Sequence, residues 1–333
     1  MGRRSAVVVG LASALTILGP AAVAHAAPWA VTQQVAESSA VVDNVVELTD
    51  QRTAVFVDSP SMGRVVQVQI LHPEGDEPRP SLYLLDGVNA GSESNYQEST
   101  WTQMTDVVEF FADKNVNVVL PIGGLASYYT DWAQADPVLG ENQWETFLTR
   151  ELPPIVDGQF NGNGVNAIAG LSMGAQGAMT LITRNPDLYS GVAAFSGCMD
   201  TTRLESELAV RGTVASRGGN PDNMWGPPGG PGWLEHDPTA NAESLRGKDI
   251  FVSTGNGLPG PYEVGAPDMV EKVVIGGPLE IVSNWCTQLF QQRLEQLGIP
   301  ATYLYRPYGT HSWPYWQDDL HEAWPTLARS LGV

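Results

Sequence analysis

The sequence predicts an α/β fold, a mostly parallel central sheet with helices on both faces, and three observations carry that prediction. Short runs of β-branched and aromatic residues alternate with helical spacings from residue 81 to residue 195, the order of a parallel sheet with crossover helices. At Gly170-Leu171-Ser172-Met173-Gly174 a buried run over 165–169 stops and a helical run over 175–182 begins, with a serine at the apex of a turn that only small neighbours permit. After Cys198 the series breaks, because 217–232 holds ten Gly or Pro in sixteen residues, and an irregular insertion is expected there before the sheet resumes at 249–254.

Each element follows from its own pattern. Arg3-Arg4, an apolar run over 6–18 and Ala24-His25-Ala26 ahead of Ala27-Pro28 read as a secretory signal peptide over 1–26, so a secreted, cell-envelope or extracellular location is expected. The apolar run is shorter than the ~20 residues a membrane span needs, and no later run is long enough. Residues 27–44, rich in Ala, Val, Ser and Gln without a clear period, are expected to form an N-terminal extension, and one domain covers 45–333. Residues 52–58 and 63–71 read as an antiparallel opening pair, and 81–85, ended by Asp86-Gly87, as a buried strand. Trp101, Met104, Val108 and Phe111 give helical spacing over 101–113, residues 115–121 read as another buried strand, and a helix over 142–157 carries Trp144, Phe147, Leu148 and Leu152. The strand 191–195 follows the elbow and its helix. Gly276-Gly277-Pro278 starts a helix with Leu279, Val282, Cys286, Leu289 and Phe290 on its apolar side and Gly298 as its stop. A strand over 301–305 leads into Gly309-Thr310-His311-Ser312-Trp313, and a last helix ends the chain.

Composition excludes several functions. A formal charge of −20 argues against nucleic acid and against a basic patch for anionic lipid headgroups. Two cysteines and five scattered histidines show no ligand spacing, so no metal is expected, and the serine chemistry of the elbow needs no cofactor. Cys198 and Cys286 are an even pair in an exported chain and suggest one disulfide, which the chain-entropy model values at about 4 kcal/mol.

The elbow serine sets the remaining questions. A serine hydroxyl needs a base within hydrogen-bond reach, usually histidine. Three histidines follow Ser172. In an α/β-hydrolase the order is serine, acid, histidine, with the histidine on a loop after the last strand, which fits His311. His236, in the irregular insertion, reads as structural, and His321 lies within the last helix. The acid stays open at this level: Glu263, Asp268, Glu271 and Glu280 are all available, and spacing does not rank them. A glutamate in a first helical turn, as Glu280 would be, is also favoured by the helix dipole without any chemical task. An oxyanion hole would take the Met173 amide and a second donor near Asp86-Gly87-Val88-Asn89.

Blocks along the chain resemble a family, the secreted mycolyltransferases of the antigen 85 type. They include Tyr83-Leu84-Leu85-Asp86-Gly87, Pro121-Ile122-Gly123-Gly124, Tyr129-Thr130-Asp131-Trp132, Trp144-Glu145-Thr146-Phe147-Leu148, the elbow, Met224-Trp225-Gly226-Pro227, Asp237-Pro238-Thr239, Gly255-Asn256-Gly257 and Gly309 to Trp313 with Tyr315-Trp316. The resemblance runs from about residue 63 to the C-terminus. It implies Ser172 as nucleophile, His311 as base and Glu280 as acid. It also implies Val88 and Met173 as oxyanion amides, and Asp86 and Trp313 on a trehalose-side pocket. Asn89 stands where mycobacterial members carry an arginine, and no asparagine is found around Met104 to help hold sugar hydroxyls. Cys198 and Cys286 look like the pair of corynebacterial-type relatives, which would tie the helix bearing Glu280 to the sheet near the elbow.

What the resemblance implies for activity is transfer of a mycoloyl group from trehalose monomycolate, through Ser172, to a sugar hydroxyl. The acceptor would be a second trehalose monomycolate, giving the dimycolate, or cell-wall arabinogalactan, with the insertion and its tryptophans covering the site. Two alternatives remain, a secreted carboxylesterase of the same fold and a cell-wall adhesin with a vestigial site.

Overall fold

The computed structural model describes Gly2 and residues 39–333. The expected signal peptide over 1–26 and the extension over 27–38 lie outside the described residues. The expected end of that extension is different: residues 41–44 open the first strand, β1 (Val41–Thr49). Eight of its nine residues are exposed, and this edge position hides the alternation that would have marked it as strand.

The sheet has nine strands: β1, β2 (Arg52–Ser59), β3 (Arg64–Leu71), β4 (Arg79–Leu85), β5 (Asn117–Pro121), β6 (Gly162–Leu171), β7 (Tyr189–Phe195), β8 (Asp249–Thr254) and β9 (Thr302–Tyr305). Their spatial order is β1-β2-β3-β5-β4-β6-β7-β8-β9. The β1–β2, β2–β3 and β3–β5 pairs are antiparallel, and every pair from β5 to β9 is parallel. All seven residues of β4 are buried, as a central strand covered on both faces requires.

Successive strand residues point to opposite faces, so one strand feeds two cores. Tyr83 and Leu85 join Ile168, Ala194, Met179 and Phe290 on one face, while Leu82 and Leu84 join Ala169, Phe195, Trp101 and Leu327 on the other. Among the described residues no helix is long and apolar enough to cross a membrane.

Helices α1 (Thr100–Met104) and α2 (Val107–Phe111) replace the single expected helix over 101–113. Thr105 between them is extended, and its hydroxyl donates to the Trp101 carbonyl at 2.5 Å, competing with continuation of the helix. Helix α3 (Trp144–Thr146) runs through a π-turn, Phe147–Glu151, into α4 (Leu152–Gln159). Pro153 and Pro154 lack amide donors and crowd the preceding turn, which widens to receive them.

Helix α5 (Met173–Arg184) follows the elbow and is buried for eleven consecutive residues. Helix α6 (Leu204–Ser216) was not legible in the sequence, because it exposes Leu204 and Leu208 while burying Glu207, an inversion that cancels the apolar stripe. Two single turns, α7 (Asp222–Trp225) and α8 (Pro231–Glu235), interrupt the Gly/Pro-rich segment.

Helix α9 (Met269–Glu271) and a π-turn, Lys272–Gly276, lead into α10 (Gly277–Leu297), so the helical path begins seven residues before the expected Gly276, and Pro278 again sits just after the wide turn. Helix α11 (Trp313–Leu331) closes the chain.

Trp225 and Trp233 pack edge to face at 5.1 Å, and His236 stacks on Trp225 at 4.8 Å. The His236 Nδ1–H donates to the Gly232 carbonyl at 2.7 Å. Burial, helped by the charge of Arg184, lowers the His236 pKa to about 4 from an ordinary 6.5. A base with a lowered native pKa stabilises the fold above pH 6.5, and that contribution is lost as pH falls towards 4, because the unfolded chain takes the proton first. The His236→Gln variant is therefore expected to differ from wild type by up to ~3 kcal/mol less at pH 4 than at pH 7. Urea denaturation at both pH values measures this, and an equal difference at both would refute it.

Candidate active site

The elbow is built by close backbone approach. A Cβ on Gly170 would lie 2.4 Å from the Gly174 carbonyl oxygen, and one on Gly174 would lie 2.3 Å from that of Asp86, so neither position accepts alanine. Ser172 itself has φ 52° and ψ −118°, a strained conformation for a residue with a Cβ, and its amide is held by the Phe195 carbonyl at 2.8 Å. Its hydroxyl donates to His311 Nε2 at 2.8 Å. The other ring nitrogen, Nδ1–H, donates to Glu280 Oε2 at 2.9 Å.

Three separate elements meet in this chain of bonds: the start of α5, the loop between β9 and α11, and the first turn of α10. Glu280 is fully buried, and its Oε1 accepts from Ser196 Oγ at 2.8 Å, Thr254 Oγ1 at 3.1 Å and the Gly255 amide. Burial pushes its carboxyl up, but the hydrogen bond and charge of His311, with the Gly255 and Ser196 donors, outweigh it and hold the group below the usual carboxylate range. It is thus ionised where the His311 Nδ1–H donates, and that bond leaves Nε2 as the acceptor for the Ser172 hydroxyl. Arg306 lies 3.6 Å from Glu280 Oε1 and pairs with buried Asp319 beneath it.

The other acids that spacing left open are elsewhere. Asp268 pairs with Lys272 at 3.1 Å, and Glu271 is exposed. Glu263 is fully buried and holds the histidine loop: it accepts from Thr310 Oγ1 at 2.8 Å, the Tyr315 hydroxyl at 2.6 Å and the Gly260 amide at 2.8 Å. Glu263→Ala leaves those three donors unpaired and is expected to cost about 2–3 kcal/mol, with a lower kcat because His311 sits beside Thr310. Denaturant melts and steady-state kinetics check this, and Glu263→Gln should recover most of the loss.

Cys198 and Cys286 form a disulfide, with a Cα–Cα distance of 5.0 Å across 88 residues. It ties the loop after β7 to α10, where Ser283 Oγ also donates to the Ser196 carbonyl at 2.9 Å. His321 stacks on Phe110 and pairs with Asp106 at 3.0 Å, away from the triad.

Val88 and Met173 flank the serine, and neither amide donates to a backbone or side-chain acceptor among the described residues. Asp86, which the resemblance places on a sugar pocket, is fully buried: it accepts from Ser99 Oγ, the Thr100 amide and the Trp101 amide at 2.9–3.2 Å. Burial pushes its carboxyl up to about 7 against the pull of these donors. It caps α1 and lines neither pocket beside the serine.

Two pockets meet at Ser172, Val88 and His311. The smaller, about 110 Å³, is lined by Asn89, Glu93, Thr100, Trp313 and Trp316. The larger, about 540 Å³, has walls from α6 (Ala209, Val210, Thr213) and from the π-turn and α10 (Ile275, Leu279, Val282). Helix α6, not the tryptophans of the Gly/Pro-rich segment, therefore borders the serine; Trp225 and Trp233 are buried away from the cleft. A further cavity of about 540 Å³, near Phe56, Arg64 and Trp144, touches none of the triad.

The "Putative esterase" family matches residues 59–327. Diacylglycerol acyltransferase/mycolyltransferase Ag85A of Mycobacterium leprae is 34% identical over 288 residues, covering 83% of this chain and 82% of that protein. Its counterpart in Mycobacterium tuberculosis is 33% identical over 287 residues, covering 83% and 80%. The crystal structure of Mycobacterium tuberculosis MPT51 superposes with a TM-score of 0.69 at 26% identity, covering 82% of this chain and 96% of that one. A ferulic acid esterase, at 20% identity and a TM-score of 0.56, shares the fold. With a serine elbow, a buried glutamate and a loop histidine joined on an α/β-hydrolase sheet, the chain belongs to the Ag85 diacylglycerol acyltransferase/mycolyltransferase family of the esterases.

Proposed function

We propose that this enzyme moves a mycoloyl group from trehalose monomycolate to a sugar hydroxyl through an acyl-enzyme on Ser172. The observation that carries the reading is the meeting of two unlike pockets at the serine. The smaller offers amide, carboxylate and hydroxyl groups beside two indole rings, the chemistry that holds a saccharide. The larger is walled by aliphatic side chains and suits an acyl chain.

Ser172 Oγ attacks the ester carbonyl while His311 Nε2 takes its proton. The Val88 and Met173 amides hold the oxyanion of the tetrahedral intermediate. Collapse expels trehalose, whose oxygen receives the proton from His311. An acceptor hydroxyl then enters the same pocket, gives its proton to His311 and attacks the acyl-enzyme, and collapse breaks the acyl–Ser172 bond as His311 returns that proton to Ser172 Oγ. The acceptor is a second trehalose monomycolate or arabinogalactan. Transfer outruns hydrolysis when the acceptor fills the small pocket and displaces water. The leader over 1–26 places this work outside the cytoplasm, at the cell envelope.

Incubation of purified protein with trehalose monomycolate, followed by mass spectrometry of the lipids, tests the reading. Trehalose dimycolate is the expected product. Free mycolic acid alone would indicate a carboxylesterase, and absence of turnover together with absence of fluorophosphonate labelling would indicate a vestigial site.

A further inference from the structure

Arg217, the residue that ends α6, reaches across the cleft. Its Nη2 donates to Asn89 Oδ1 at 2.7 Å, joining residues 128 apart in the chain. Arg217 lines the larger pocket and is the only Lys, Arg, Asp or Glu there among the described residues, whereas Asn89 lines the smaller one. The bond therefore crosses at the border the two pockets share, beside Ser172 and His311. Asn89 in turn donates from Nδ2 to Glu93 Oε1, and Thr100 Oγ1 donates to Glu93 Oε2 at 3.4 Å.

Arg217 makes no salt bridge among the described residues; its remaining side-chain contact is a 3.4 Å bond from Nη1 to Ser216 Oγ. A guanidinium carries five donors, so a half-buried charge with donors to spare stands in the wall of a largely apolar pocket. A hydrocarbon chain cannot meet it. Vicinal sugar hydroxyls can, since each both donates and accepts, and the row from Arg217 (donor) through Asn89 (donor and acceptor) to Glu93 (acceptor) offers both in sequence.

We propose that Arg217 sets sugar specificity: anchored by Asn89, its guanidinium binds hydroxyls of the sugar attached to the ester being cleaved. This rests on the sugar-ester reading above and adds to it a residue from the end of α6, in the wall of the larger pocket, that reaches Asn89 of the smaller one. Its effect is on recognition of the sugar, so it appears in KM for sugar esters rather than in the acylation step.

The test compares two esters with the same acyl chain, trehalose 6-O-octanoate and p-nitrophenyl octanoate, in wild type, Arg217→Ala, Arg217→Lys, Asn89→Ala and the Arg217→Ala/Asn89→Ala double variant. Arg217→Ala is expected to raise KM for the trehalose ester about tenfold with kcat within about threefold, lowering the ratio of kcat/KM between the two esters about tenfold. Lysine keeps the charge without the fork and recovers part of that ratio. The double variant is expected to be no worse than the poorer single variant, because the two side chains act as one unit. Equal losses on both esters, or single losses that multiply in the double variant, would overturn the assignment of Arg217 alone. Wild-type protein that cleaves p-nitrophenyl octanoate and leaves the trehalose ester untouched would overturn the sugar-ester reading, and this assignment with it.

Discussion

Alanine at position 172 is expected to lower kcat/KM on an activated ester by about 10⁴–10⁶-fold and to abolish fluorophosphonate labelling. The size follows from geometry, because Ser172 Oγ is bonded to His311 and no other hydroxyl among the described residues is. In the proposed mechanism the turnover that survives comes from the oxyanion amides and substrate binding, so His311→Ala should fall to a similar floor and the double variant should fall little further. Stability moves the other way for one substitution. Ser172 sits at φ 52° with a Cβ, a conformation only glycine adopts freely. Ser172→Gly should therefore raise unfolding free energy by about 1 kcal/mol while removing activity, the signature of strain held at a functional position. A variant with unchanged melting behaviour and residual activity above a hundredth of wild type would contradict both parts.

Removing the disulfide should produce the largest loss of stability. Cys198→Ser/Cys286→Ser opens a cross-link across 88 residues, for which the chain-entropy model gives about 4 kcal/mol. At roughly 2–4 °C per kcal/mol for a domain of this class, the melting temperature should fall by about 10 °C. Activity at 25 °C should change far less. The Glu280 end of α10 is also held by the Gly255 amide and by the Ser283 hydroxyl on the Ser196 carbonyl, which the substitution does not touch. Differential scanning calorimetry and kinetics on the same preparation separate the two effects. Loss of kcat without loss of melting temperature would mean that the cross-link positions the acid rather than stabilising the fold.

The sheet, the elbow and the loop histidine were legible in the sequence because each is written in contiguous residues. The buried apolar run in 81–85 and the small residues around Ser172 report local backbone constraints. Where local pattern misled, a competing local interaction was responsible: the Thr105 hydroxyl splits one helix into two, and exposed leucines with a buried Glu207 conceal α6.

The sequence by itself therefore determined the layered α/β architecture and brought forward the elbow serine and the loop histidine, while Glu280 was singled out there only through resemblance. Tertiary structure alone decided what long-range contacts govern. Four carboxylates stood equal in spacing, and only the packing of α10 against β8 puts Glu280 against His311 while Glu263 holds Thr310 of the same loop. Packing likewise buries Asp86 as a helix cap and carries Arg217 across 128 residues to Asn89. Spacing along a chain specifies which way a side chain leaves its own backbone, and it carries no information about which distant backbone will be there to receive it.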